Sequence, residues 1–87
     1  MKFRMKPEVI EAFQWTGGPE QTENPEWIVT AMIRKQASIQ KDPLQLVLWT
    51  LEGVHQVNPG DWIIKGMGEL RPMKNEIFLQ TYEKVLD

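Results

Sequence analysis

The residues of this chain best suited to chemistry are cations and aromatics. Lys2, Arg4 and Lys6 alternate with Met1, Phe3 and Met5. In an extended segment, a period of two puts the three cations on one face and the apolar side chains on the other. Such a row is either a solvated strand face or a platform able to make several charge-assisted bonds to one phosphate. A second group, Lys65, Glu69 and Arg71, follows near the other end. Glu69 and Arg71 share a strand face there, as a surface pair or as part of the same site. Trp15, one of four tryptophans, could offer an edge on which a base stacks. Asp61 follows Pro59-Gly60 and is either a turn residue accepting from backbone amides or a carboxylate facing a ligand hydroxyl. Lys2, Arg4, Lys6, Trp15, Asp61, Lys65, Glu69 and Arg71 are therefore the candidate ligand-binding residues.

Catalytic signatures are weak by comparison. His55 is the sole histidine, there is no cysteine, and Ser38 is the sole serine. A metal would need His55 plus several carboxylates at ligand spacing, and no such spacing occurs. A nucleophile relay through His55 lacks an evident hydroxyl partner. Gly66-Met67-Gly68 lacks the third glycine and the following helix of a phosphate loop, so it reads as a turn. No metal and no cofactor is implied, and the expected mode of action is binding rather than catalysis.

The 87 residues allow a single domain, 1–87. Ten basic against twelve acidic residues give a net charge of −2, which argues against a nucleic acid polymer as partner. No apolar run approaches a spanning helix and no signal-peptide core opens the chain. The expectation is a soluble, cytoplasmic protein that does not enter a membrane. Small domains without disulfides often gain stability by association, so a homo-oligomer, a dimer or higher, is expected.

The elements that must position these groups follow from pattern. Val9–Trp15 alternates as a strand, with Glu11 on the more apolar face. Asn24-Pro25-Glu26 reads as a helix start, with Asn24 as cap, and the helix should run to about Lys35. Trp27, Val29 and Ile33 extend its apolar coverage beyond one stripe and are the candidate interface. Ala37–Gln40 suggests a short strand, and Leu44–Leu51 a longer one in which Leu46 and Leu48 oppose Val47 and Trp49. Glu52-Gly53 reads as a tight turn placing Thr50 opposite His55. Asn58-Pro59-Gly60-Asp61 reads as a turn with positive φ at Gly60. Trp62-Ile63-Ile64 then reads as a buried strand and Glu69-Leu70-Arg71 as its partner, with Pro72 stopping the ladder. Asn75 could cap a helical turn over Glu76–Gln80, and Thr81–Val85 could form a last edge strand. The fold class is α+β: a small bent antiparallel sheet of about five or six strands with one main helix packed on it, or a partly open barrel.

Both ends of the chain resemble a widespread family of small phage and prophage proteins. The resemblance rests on Phe3-Arg4-Met5-Lys6-Pro7 with Val9-Ile10-Glu11-Ala12-Phe13-Gln14-Trp15-Thr16-Gly17. It rests also on Pro59-Gly60-Asp61-Trp62-Ile63-Ile64-Lys65-Gly66, then Gly68-Glu69, Phe78, Tyr82 and Glu83. It covers about half the chain. The middle, 18–56, matches little, Met5 stands where a basic residue is usual, and Leu70 where an aromatic is common. The family mostly carries no assigned function, so the resemblance implies a setting, a phage accessory protein, without an activity. In that setting a compact oligomer could counter host defence by sequestering a small anionic, nucleotide-like ligand. The alternatives are a modulator that binds a host protein, a structural or assembly protein, and, with less support, a small enzyme.

Overall fold

The computed structural model describes residues 1–2, 9–18, 21, 23–66 and 69–84. The fold is α+β, with six strands and two helices among the described residues. The strands are β1 (Glu11–Gln14), β2 (Ala37–Gln40), β3 (Gln45–Thr50), β4 (Gly53–Val57), β5 (Trp62–Lys65) and β6 (Leu70–Met73). The main helix, α1 (Glu26–Ile33), precedes β2, and α2 (Asn75–Thr81) follows β6. The strands divide into two three-stranded antiparallel sheets, ordered β1-β5-β6 and β2-β3-β4. The sheets meet where β6 packs beside β4 and β3.

The core forms between them. Phe13, Trp15 and Ile63 face Leu46, Leu48 and Val57, with Ile28 and Ala31 of α1 closing the cluster. The Trp27 ring packs edge-on against Phe13 at 5.5 Å. Alternation along β1 explains the split: Phe13 and Trp15 go to the core, while Glu11 lies where the same face reaches solvent.

The central turn forms as its residues dictate. The Asp61 N–H donates to Asn58 O at 3.0 Å, and Gly60 has φ +97°, the conformation expected of glycine at the third turn position. The turn is tied to β1, because Gly60 N–H donates to Trp15 O at 2.7 Å and Trp15 N–H to Asp61 O at 2.9 Å.

Several elements depart from the sequence expectations. The helix ends at Ile33 rather than near Lys35, because Lys35 adopts φ +62°. Gln36 N–H then donates to Ala31 O and Lys35 N–H to Met32 O, the paired bonds of a Schellman stop. Pro25, not Asn24, is the N-cap of α1, and no side chain caps it. The β3–β4 turn is Leu51-Glu52, with Thr50 opposite Gly53 and Leu48 opposite His55. Gly53, at φ +126°, opens β4 instead of closing the turn. Pro72 does not stop the ladder: it lies inside β6 opposite Ile63. Among the described residues β6 is the edge of its sheet, where a missing N–H leaves no bond unmade. The last edge strand is absent at 81–84, because α2 carries through Thr81 and Tyr82 to Lys84 form no strand. Val85 lies outside the described residues.

Candidate functional site

Two grooves flank the turn end of the β5–β6 hairpin, where Gly66 N–H donates to Glu69 O at 2.8 Å. The first, of about 980 Å³, runs between α1 and the end of the β3–β4 hairpin; Trp27, Thr30, Arg34, Trp49 and Leu51 are among its lining. The second, of about 910 Å³, is lined by Val9, Ile10, Ile64, Arg71, Tyr82 and Glu52. Glu11, Lys65, Gly66 and Glu69 line both.

The second groove gathers Lys65, Glu69 and Arg71, three of the candidate residues. Register places Lys65 opposite Leu70 and Arg71 opposite Ile64, so alternation sends the two cations to opposite faces of the hairpin. Both nonetheless line the second groove. The Lys65 ammonium lies 3.6 Å from the Glu11 carboxylate across the β1–β5 pair, with both side chains well exposed. The Glu69 carboxylate accepts from the Leu51 N–H at 3.2 Å. The Arg71 guanidinium lies over Gly66, where a Cβ would come within 3.3 Å of Glu69 O and 3.7 Å of Arg71 Nε. Glycine at 66 therefore leaves the floor of the groove open.

Tyr82 is not among the sequence candidates, because its pattern reads as part of a last edge strand over 81–85. Its ring stands 5.2 Å from Phe78, four residues earlier. That i, i+4 spacing is the helical signal that would have placed it. Arg34, the C-cap of α1, lines the first groove.

The remaining candidates lie elsewhere. Trp15 is 4% exposed and belongs to the core, so it offers no ring to a ligand and its assignment as a stacking edge is corrected. Asp61 acts within its turn: its Oδ2 accepts from Asn58 N–H at 3.1 Å. Lys2 is exposed, and Arg4 and Lys6 lie outside the described residues. Of the candidate interface residues, Trp27 is half-buried against Phe13, while Val29 and Ile33 are 44% and 76% exposed.

Asn75 does not cap α2. Its Oδ1 accepts instead from Trp62 Nε1 at 2.8 Å and from Gln14 Nε2 at 3.4 Å, and the N-cap is Lys74. This holds α2 and Tyr82 beside the groove.

Among the described residues, no three histidine, cysteine, aspartate or glutamate side chains are gathered to hold a metal. No helix among them is long and apolar enough to cross a membrane. No family model, curated protein or solved structure matches the chain.

Proposed function

We propose that this is a phage accessory protein acting by binding, and that the second groove holds a small nucleotide-like ligand. The observation that carries the reading is the meeting of Lys65, Arg71 and Tyr82 in one groove. Two cations can share a phosphate through charge-assisted bonds, and a tyrosine ring offers a base a stacking face. Glu11, Glu52 and Glu69 line the same groove. Three carboxylates against two cations make it a poor site for a bare anion. They suit a ligand that also carries donors, such as ribose hydroxyls or a base amino group. In the phage setting that the sequence resembles, such binding would serve to sequester a nucleotide signal of the host.

The test is a titration against inorganic phosphate and a panel of mono-, di- and cyclic nucleotides. One nucleotide class should give saturable binding that weakens with salt and is lost in Arg71→Ala, with phosphate alone ineffective. Silence across the panel at high micromolar protein overturns the reading.

A second reading, a modulator that docks on a host protein, draws on a different surface. Trp49 and Val54 face each other on the β3–β4 pair at 47% and 58% exposure, with Leu51 at the turn 97% exposed. A central tryptophan among apolar neighbours is a common anchor of protein interfaces. Trp49→Ala abolishing the capture of one defined host protein, with nucleotide titrations silent, would favour it.

A further inference from the structure

The side of α1 that borders the first groove carries a charge pattern complementary to a reversed copy of itself. Glu26, Thr30 and Arg34 recur every four residues and form one stripe along the helix. Ile28 and Ala31 are the residues of α1 buried in the core. Beside the stripe stand Val29 and Ile33, at 44% and 76% exposure. Glu26 and Arg34 are both exposed, and neither takes part in an ion pair among the described residues. The acid and the base sit eight residues apart, about 12 Å along the axis, with Thr30 midway.

We propose that two copies pair through α1, antiparallel, about a two-fold axis passing near Thr30. A two-fold contact is self-complementary: if residue i meets residue j, then j meets i. With the axis at Thr30, Glu26 meets Arg34 of the partner subunit and Arg34 meets the partner's Glu26, so one stripe forms two ion pairs. A parallel arrangement would set like charges side by side. The Val29 and Ile33 flanks come together along the same seam and leave water.

Area decides how far the contact extends. A stable interface buries roughly 800 Å² per partner, more than an eight-residue helix offers alone. The groove beside α1 supplies the rest, because Trp27, Leu51 and Leu70 line it and present apolar surface to a helix laid alongside.

Charge reversal combined with light scattering at high micromolar protein tests this. The wild type should run at twice the monomer mass. Glu26→Arg alone and Arg34→Glu alone set like charges against each other, and each should raise the dimer dissociation constant about tenfold or more. The double reversal rebuilds both pairs with signs exchanged and should restore association to within about threefold. Ile33→Asp should give monomer. All these positions are exposed, so circular dichroism should be unchanged. A monomeric wild type overturns the proposal, as does a dimer indifferent to every variant or a double reversal no better than the single ones.

Discussion

The indole of Trp62 lies flat on the ring of Phe78, with centroids 4.0 Å apart and planes 7° from parallel. This stack and the Trp62 Nε1–Asn75 bond hold α2 to the β1-β5-β6 sheet, since no residue of α2 is itself buried. Phe78→Ala should therefore free α2 while leaving the sheet intact. The expected cost is about 2 kcal/mol, below the range for a fully buried phenylalanine. Hydrogen exchange should show residues 75–81 losing protection while β5 keeps its own; equal loss in both would mean that α2 and the sheet unfold as one unit.

Gly60 adopts φ +97° with open space around its missing Cβ, so its requirement is conformational and not steric. Gly60→Val should cost about 1–2 kcal/mol or more in chemical denaturation. An unchanged midpoint would show that the turn can rearrange without loss to the bonds linking it to Trp15.

The Glu11–Lys65 pair is solvent-exposed on both sides. Glu11→Gln should change stability by less than about 0.5 kcal/mol. In the ligand titration it should instead strengthen phosphate-bearing ligands, by removing a negative charge from the groove and releasing Lys65. Weaker binding in Glu11→Gln would mean that the carboxylate accepts a ligand donor.

Gly66→Leu should obstruct the second groove, since its Cβ already approaches Glu69 O and Arg71 Nε. The expected outcome is loss of nucleotide binding with a modest fall in melting temperature. Retained binding would place the ligand elsewhere.

The fold class was legible in the sequence because its signals are local. Pro59-Gly60 fixes a turn whatever surrounds it, and the alternation of Leu46 and Leu48 against Val47 and Trp49 names a strand directly. What escaped depended on partners far along the chain. Pro72 reads as a stop until β6 proves to be an edge. Asn75 reads as a cap until Trp62, thirteen residues earlier, claims its oxygen. Trp15 and Trp49 look alike as residues, yet the first is 4% and the second 47% exposed, a difference set by how the two sheets face each other. The candidate site was half visible. Lys65, Glu69 and Arg71 were found by type, whereas their meeting with Tyr82 needed α2 to run through Thr81.

Glu11, Lys65, Gly66 and Glu69 line both grooves, which gives an occupant of one groove a route to the other. An occupant of the first groove that displaced these side chains would alter the affinity of the second for its ligand. The factor by which one occupant alters the other's affinity is then the same in both directions. If the first groove receives a second copy, ligand affinity becomes a function of protein concentration. The number of molecules in the cell, and not only the affinity of each, would then set how much ligand is withdrawn.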